Sequence, residues 1–395
     1  MNRRNFLMTG AAAAVSARAM NAGAYAAILG ANDRVGLGVI GLGRRGSIVT
    51  NGFVQDARLQ VRALADIYDK QVSAFQGRFK EHVAQATVSV AYQEMLAKKD
   101  LDAVLIATPD HLHVQMANDA LAANKHVYLE KPTLHRWYER EALVKAAAAS
   151  KGLLQCGTQQ RSGAHYLRAK QEIFDAGLLG KVIFARAVWH NFPWQRRNVP
   201  AEPKPAGLNW ELFLGPAPKV PYETARYSSW RSYHAYGNGV LADILTHWVD
   251  VAQWMLGDDK PVSAATLGGD YQLHDGRDNP DSVTAIVQYK DWNLNFESTV
   301  LPVRNDHPSV FFEGTKGSLD ITREGYTFTP NEGAPIRVDS TQDLERAHTG
   351  NFIDAIVKGE KLNAPLSAGL AATLPVQMAL ESYWSHKIGT PAELT

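Results

Sequence analysis

Short apolar runs alternate with helix-compatible segments through the first part of the chain. The runs are VGLGVI, LQVRALA, DAVLIA, HVYL and LLQC, and helical patterns such as VQMANDALAANK and EREALVKAAAASKG stand between them. This strand–helix–strand–helix order predicts a doubly wound parallel sheet. Ligands bind beyond the carboxyl ends of the strands in such sheets. The pattern therefore predicts a first α/β domain over residues 33–157, with its binding site at that edge.

A different pattern begins near residue 158. Apolar and polar residues alternate in the aromatic-rich segments KVIFARAVWHN, DSVTAIVQYKDWNLNFEST and SVFFEGTKGSLDITR. Alternation is typical of antiparallel strands that pack on one face. Between the first two segments, residues 190–236 are rich in Trp, Tyr and Pro and have no regular pattern, which is typical of a binding loop. Residues 158–395 are therefore predicted to form a second domain.

Composition and charge exclude several classes of protein. The 395 residues suffice for two domains, and 45% are hydrophobic while 21% are charged, as in ordinary folded chains. Lys and Arg total 41 against 40 acidic residues, so a net charge of +1 gives no electrostatic case for a nucleic-acid partner. The single cysteine, Cys156, excludes an internal disulfide and a cysteine-built metal site. Beyond the N-terminus, no stretch approaches the roughly 18 apolar residues of a membrane span, so stable membrane insertion is not expected.

The N-terminal segment has the features of an export signal. Arg3 and Arg4 precede a short apolar stretch from Phe6 to Ala17, and Ala24-Tyr25-Ala26 suits cleavage. This arrangement resembles a twin-arginine signal, a route that exports proteins already folded. The alternative is an amphipathic or unstructured tail. We expect residues 1–26 to be a signal and the mature protein to be periplasmic or secreted.

A glycine motif directly follows the first apolar run. Gly41, Gly43 and Gly46 form a G-x-G-x-x-G pattern between a predicted strand and a predicted helix. In that context the glycines permit a tight turn, close approach of a pyrophosphate to the backbone, and close helix–strand packing. The motif predicts a dinucleotide-binding loop, with a nucleotide-free turn as the alternative.

Asp66 ends the second run, where a carboxylate accepts hydrogen bonds from an adenosine ribose. A carboxylate there repels a 2′-phosphate, so NAD is expected rather than NADP. Arg44, Arg45 or Lys70 could reverse that preference, and NADP stays open as an alternative. Arg44 and Arg45 lie within the glycine motif and are themselves candidate cofactor contacts.

Further candidate cofactor contacts stand where the third and fourth predicted strands end. Thr108, Pro109 and His113 belong to the segment ATPDHLH, while Glu130 and Lys131 belong to EKP. Taken alone, Lys131 is an ordinary solvated lysine beside a turn proline. Its position at the ligand-binding edge of the sheet makes it a candidate for contact with a substrate.

The segment GNGVLADILTHWVDVAQWML places two ionisable residues, Asp243 and His247, on a predicted apolar helix. Their i,i+4 spacing puts both on one helical face, and ionisable groups on a buried face need a reason. Three interpretations are open: a satisfied core pair, a shared metal ion, or a general base. The candidate substrate-binding residues of this half are Arg161, His190, Trp230, Arg231 and His234.

Taken together, the motifs resemble the Gfo/Idh/MocA oxidoreductase family, which includes glucose–fructose oxidoreductase and inositol dehydrogenase. The matching segments are VIGLGRRG, ALADIYD, ATPDHLH, EKP, GTQQR, NWELFLGPAP, GNGVLADILTHWVDVAQWMLG and NFIDAIVKGE. The resemblance implies an N-terminal Rossmann domain and a C-terminal α/β domain with a large, open, mostly antiparallel sheet. In the family that sheet often forms an oligomer interface, which implies a homodimer or homotetramer. The resemblance also implies that Lys131, Asp243 and His247 surround the substrate, which favours base catalysis.

The resemblance thus implies oxidation or reduction of a secondary hydroxyl of a sugar, glycoside or polyol, with NAD and no metal. His247 would take the hydroxyl proton, Lys131 would stabilise charge on the oxygen, and Asp243 would orient the substrate or fix the imidazole tautomer. Because free NAD is scarce outside the cytoplasm, we expect the cofactor to be tightly held. The alternatives are an NAD-dependent glycosidase or lyase that acts by oxidation, elimination, hydration and reduction, and a catalytically silent sugar-binding protein.

Overall fold

The computed structural model describes residues 34–195, 199–303 and 307–394, which fold around two β-sheets. The predicted export signal, residues 1–26, lies outside the described residues. None of the helices in these ranges combines the length and the apolar character needed to cross a membrane.

The N-terminal sheet has six parallel strands in the order β3-β2-β1-β4-β5-β6, the Rossmann order. Its strands are β1 (Val35–Ile40), β2 (Leu59–Ala65), β3 (Thr87–Ser89), β4 (Ala103–Ile106), β5 (His126–Leu129) and β6 (Leu154–Cys156). The helices of this part are α1 (Arg44–Phe53), α2 (Asp69–Arg78), α3 (Lys80–Val83), α4 (Tyr92–Leu96), α5 (His113–Ala122) and α6 (Arg140–Ala149). Strands β1 and β4 are buried along their whole length, as expected for continuous apolar runs covered by helices on both faces.

The C-terminal sheet has eight strands in the order β14-β13-β12-β11-β7-β10-β9-β8 and is antiparallel except where β7 pairs with β10. Its strands are β7 (Val182–Val188), β8 (Ser263–Gly269), β9 (Ser282–Gln288), β10 (Asn293–Thr299), β11 (Ser309–Gly314), β12 (Gly317–Ile321), β13 (Gly325–Pro330) and β14 (Ile336–Asp339). The helices are α7 (Ala164–Ala169), α8 (Trp210–Leu214), α9 (Thr224–Ser228), α10 (Thr246–Leu256), α11 (Leu344–Lys358) and α12 (Leu366–Ser385). The predicted fold class is confirmed in both halves.

The alternating strands bury one face of this sheet and leave the other open. In β9, for example, buried and exposed residues alternate along the strand, and the buried set packs with residues of α10 and α12 in one large core. The open face carries apolar side chains, including Leu267 and Ile286.

Helix α11 joins the two halves. It packs against α1, and its Phe352 and Ile353 belong to the hydrophobic core around β1 and β2. The C-terminal part of the chain therefore completes the N-terminal core, and it fixes the glycine loop relative to the second sheet.

Candidate active site

The glycine loop leaves open space at the start of α1. Gly41 has φ +88°, and a Cβ there would lie 2.7 Å from the carbonyl oxygen of Ala107. A Cβ at Gly46 would lie 2.0 Å from the carbonyl oxygen of Gly41, whereas a Cβ at Gly43 would meet nothing within 4 Å. No side chain caps the helix at Gly43. The loop thus has the close packing and the free N–H donors that a pyrophosphate site requires.

Asp66 lies beside this loop, at the end of β2. Its two carboxylate oxygens accept hydrogen bonds from the backbone N–H groups of Leu42, at 2.8 Å, and Tyr68, at 2.9 Å. Burial raises the pKa of Asp66. The carboxylate therefore braces the glycine loop, and each oxygen keeps a lone pair that can accept from a ribose hydroxyl.

The two arginines of the loop point away from each other. Arg45 makes a bidentate contact with Glu345 of α11, at 2.7 and 3.0 Å, and an ion pair with Glu130 at 2.6 Å. Burial raises the pKa of Glu130, although Arg45 opposes this shift. Arg44 instead lies over the ring of Trp194, at 4.8 Å from its centroid. Arg45 and Glu130 thus form a structural clamp between the loop, β5 and α11.

His113 also joins backbone segments. Its Nδ1 lies 2.8 Å from the carbonyl oxygen of Pro132, and its Nε2 lies 3.0 Å from that of Thr108. Burial lowers the pKa of His113 to about 4. The neutral ring has a single N–H and so donates to one of these two carbonyls. It lies between the ends of β4 and β5, where Thr108, Pro109 and Lys131 lie.

Lys131 of the first domain meets Asp243 of the second. The ammonium donates to the backbone carbonyl of Asp243 at 2.7 Å and forms an ion pair with its Oδ1. The peptide bond between Lys131 and Pro132 is cis. Both side chains are nearly buried, with 10% and 11% of their surface exposed. Lys131 of the first domain and Asp243 of the second are therefore in direct contact.

Asp243 is held ionised by its neighbours. Its Oδ2 accepts from Gln195 Nε2 at 2.9 Å and from Trp194 Nε1 at 3.4 Å, and it lies 3.2 Å from Arg231 Nε. Burial would raise the pKa of Asp243, but Lys131 and Arg231 outweigh burial and hold it well below its usual range. A metal ion at this carboxylate would have to displace two cations, which argues against the shared-metal interpretation.

Asp243 lies in a π-helical turn, Leu241–Leu245, directly before α10. Such turns are rare and frequent at functional sites. The sequence pattern predicts a continuous α-helix here, and the π turn changes the angular relation between Asp243 and His247.

His247 is buried, and its Nδ1 lies 3.2 Å from Gln160 Oε1. Asp243 was one expected partner of this imidazole, but in the described part of the chain it makes no hydrogen bond to the ring. Gln160 holds the ring instead. Burial lowers the pKa of His247 well below 6.5, and Lys131 adds to the effect. The imidazole is therefore neutral, and with Nδ1–H donating to Gln160 its Nε2 can accept a proton.

The predicted substrate-binding residues divide into two groups. Arg231 reaches Asp243 and stacks on Trp230, with 4.1 Å between its guanidinium carbon and the ring centroid. Arg161 instead forms a buried ion pair with Asp250 at 2.8 Å. His190 Nδ1 accepts from the backbone N–H of Thr299 at 3.2 Å, within the sheet.

His234 lies outside the cluster around Lys131. Its ring contacts Arg136 and lies 4.6 Å from the ring of Trp384, measured between centroids. These residues line a groove of about 850 Å³ between the two domains, and Lys131, Asp243 and His247 are not among its lining residues. The groove is thus separate from the cluster of Lys131, Asp243 and His247.

Two site residues were not singled out for a chemical role from the sequence. Gln160 lies in the segment GTQQR, whose resemblance to the family was the only signal. Asp110 lies in the segment ATPDHLH without an assigned role, and it is buried. Burial raises its pKa to about 7, and the nearby Arg231 and Lys131 oppose the shift.

Comparisons with known proteins identify the family of both domains. Residues 35–158 match a profile described as an oxidoreductase family with an NAD-binding Rossmann fold. Residues 167–379 match the C-terminal alpha/beta domain of the same family. The uncharacterized oxidoreductase YrbE of Bacillus subtilis is 29% identical over 222 residues, which cover 56% of this chain but only 54% of YrbE.

Two further comparisons extend over most of the chain. The inositol 2-dehydrogenase of Rhizobium meliloti is 23% identical over 363 residues, covering 88% of this chain and 96% of that enzyme. A solved structure of levoglucosan dehydrogenase in complex with NADH and levoglucosan has a TM-score of 0.73 at 17% identity, covering 91% of this chain and all of that one. At this identity the structural likeness shows the fold.

Proposed function

This chain belongs to the Gfo/Idh/MocA oxidoreductase family, and from that premise we propose that it oxidises a secondary hydroxyl of a sugar, glycoside or polyol. It is an NAD(P)-dependent oxidoreductase, in keeping with the sugar and polyol dehydrogenases among its relatives. The observation that carries the proposal is the contact of Lys131 with Asp243, one helical turn from a neutral His247.

The residues of the glycine loop fit a dinucleotide. Gly43 leaves space for the pyrophosphate, the first turn of α1 offers N–H donors, and Asp66 offers acceptors for the ribose. A bound nicotinamide supplies the hydride acceptor. We assign NAD rather than NADP for two reasons. The Asp66 carboxylate would repel a 2′-phosphate, and Arg45 is already paired with the carboxylates of Glu130 and Glu345.

The side chains of the cluster have distinct tasks in the proposed reaction. The proton leaves the hydroxyl oxygen for His247 Nε2 as the hydride leaves the carbon that bears this hydroxyl, and the carbon–oxygen bond becomes a carbonyl. Lys131 donates a hydrogen bond to the oxygen and stabilises the negative charge that develops there. Asp243 keeps the ammonium in place. Its other carboxylate oxygen contacts Gln195 and Arg231, which belong to the irregular segment 190–236.

The test uses Lys131→Ala and His247→Ala, assayed separately against a panel of sugars by nicotinamide absorbance. Each should lose activity by at least about 100-fold while still binding NADH. Lys145→Ala and His274→Ala, both at well-exposed side chains, are the matched controls. If both site variants bind the cofactor and turn over normally, the catalytic roles assigned to Lys131 and His247 are wrong. Liberation of an aglycone without net change in NAD would instead select the redox-assisted glycosidase.

We also propose that the protein is exported by the twin-arginine route with its NAD tightly bound. The paired Arg3 and Arg4 before a short apolar stretch support export. Replacing both arginines by lysine should retain the protein in the cytoplasm. Exhaustive dialysis should leave dinucleotide detectable by mass spectrometry in the native protein.

We propose further that copies of the chain associate through the open face of the C-terminal sheet. Leu267 is 80% exposed on that face, and Ile183 and Ile286 are also exposed. Exposed apolar patches of this kind mark interaction surfaces. Leu267→Glu should convert the assembly to a monomer in light scattering, whereas an unchanged mass would exclude this face.

A further inference from the structure

Arg323 differs from the other cations near the site. It lies in the turn between β12 and β13, with its guanidinium carbon 4.6 Å from the centroid of the Trp189 ring. Trp189 lies beside His247, with 6.3 Å between their ring centroids. Arg323 is close enough to His247 that its charge contributes to lowering the pKa of that histidine, after burial and Lys131. The guanidinium is therefore on the histidine side of the site.

The charge of Arg323 has no partner in the described ranges. Its Nε is buried without a hydrogen-bond acceptor, and its contact with Trp189 is a cation–π contact. Arg45, Lys131, Arg161 and Arg231 each contact a carboxylate. Burial lowers the pKa of Arg323, as expected where a charge lacks compensation.

The carboxylate with the largest electrostatic effect on Arg323 is that of Glu345, and it is already engaged. Glu345 contributes to the electrostatic surroundings of Arg323, but both of its carboxylate oxygens contact Arg45, and its Oε1 also accepts from Gln159 Nε2 at 2.7 Å. A buried guanidinium is strongly stabilised by an anion that accepts two parallel hydrogen bonds. Such an anion would have to come from a ligand.

We propose that Arg323 binds a carboxylate of the substrate, so that the preferred substrate is an acidic sugar such as a uronic acid or its glycoside. This inference rests on the proposed sugar oxidation at His247 and Lys131. The Trp189 ring holds the guanidinium beside the histidine that takes the hydroxyl proton. A phosphate of the cofactor has the same chemistry, but the start of α1 and Arg44 already face the cofactor loop.

The experiment measures binding to the NADH-loaded protein by calorimetry, so that it does not depend on turnover. The probes are D-glucuronate and D-galacturonate, each compared with its neutral hexose. The variants are Arg323→Gln and Arg323→Lys. Arg337→Gln is the control because this arginine lies on the neighbouring strand β14 and pairs with Asp339 at an exposed site.

The native protein should bind at least one uronate more tightly than its hexose, and the preference should weaken as salt is added. Arg323→Gln should lose roughly 10- to 100-fold in affinity for that uronate, with hexose and NADH binding unchanged. Arg323→Lys should retain part of the preference, and Arg337→Gln all of it.

Two results would overturn the inference. One is equal binding of each uronate and its hexose by the native protein, a comparison that stands even if Arg323→Gln does not fold. The other is an Arg323→Gln variant that loses NADH affinity but keeps the uronate preference, which would assign the guanidinium to the cofactor phosphates. Failure of every sugar to reduce NAD would remove the proposed oxidation but leave the uronate comparison intact, so the two failures are distinguishable.

Discussion

The ammonium of Lys131 donates a hydrogen bond to the backbone carbonyl of Asp243 at 2.7 Å, although the two residues are 112 positions apart and lie in different domains. The lysine follows β5 of the Rossmann sheet, and the aspartate lies in the π-helical turn directly before α10, which carries His247. This contact brings an ammonium and a carboxylate together, and both charges act on the buried imidazole of His247.

Asp243→Asn should lower kcat by about 100-fold and destabilise the protein. The amide cannot compensate Lys131 and Arg231, and a buried charge that loses its partner costs about 3–5 kcal/mol. Steady-state kinetics and chemical unfolding measure the two effects. Asp339→Asn, at an exposed ion pair, is the control and should change neither. A fully active Asp243→Asn would show that the carboxylate has no part in placing Lys131.

Gln160→Leu should lower kcat by about tenfold with little change in KM, because the imidazole of His247 loses the acceptor at its Nδ1. Gln160→Glu should restore the acceptor and raise the pKa of His247, since a carboxylate favours the imidazolium. The acidic limb of the kcat/KM profile should then move to higher pH. An unshifted profile in an active Gln160→Glu variant would contradict this positioning role. Gln288→Leu, on the exposed sheet face, serves as the matched control.

Asp110 should make stability depend on pH. Burial raises its pKa from the ordinary 3.8 to about 7 in the folded protein. Between these values the folded state binds a proton that the unfolded state does not, so the free energy of unfolding falls as pH rises from about 4 to about 7. In Asp110→Asn this decrease in the free energy of unfolding, on the order of 1–4 kcal/mol between about pH 4 and about pH 7, should be absent. Melting curves near pH 5 and pH 8 test this, with exposed Asp100→Asn as control; equal pH dependence in native protein and Asp110→Asn would contradict it.

Much of this architecture could be predicted from the sequence because its signals are local. The buried runs, the alternating strands and the spacing of Gly41, Gly43 and Gly46 are properties of short segments. The direct contact of Lys131 with Asp243 could not be derived from either segment alone, and the family resemblance implied only that both residues surround the substrate.

The side-chain contacts that were not predicted have a common physical cause. Polar side chains form contacts with residues that are distant in the sequence and become neighbours only in the tertiary structure. The local sequence does not indicate which residues these are. Arg45 belongs to the cofactor loop, yet it contacts Glu345, 300 residues further along the chain. Arg161, a predicted substrate-binding residue, forms an ion pair with the buried Asp250, a partner that its own segment did not indicate. The π turn at Asp243 could not be predicted either, because the spacing of apolar residues in this segment is that of an ordinary α-helix.

Asp66→Ser should shift coenzyme preference toward NADP. Removing the carboxylate removes its repulsion of a 2′-phosphate, so the ratio of the NADP to the NAD dissociation constants should fall by about tenfold or more. NAD affinity should fall as well, because Asp66 also accepts from the N–H of Leu42 in the glycine loop. Fluorescence titration with both reduced coenzymes measures the ratio, and Asp69→Ser at the exposed start of α2 is the control. An unchanged ratio would show that another residue selects the coenzyme.

The most direct test of the shared site is a kinetic double-mutant cycle on Lys131 and His247, read as the rate of NAD reduction in a single turnover. If both side chains act on one hydroxyl oxygen, Lys131→Ala and His247→Ala should each slow the step by about 100-fold or more, and the double variant should be little slower than either. Losses that multiply fully in the double variant, with NADH binding intact, would mean that the ammonium and the imidazole act independently and would contradict the account.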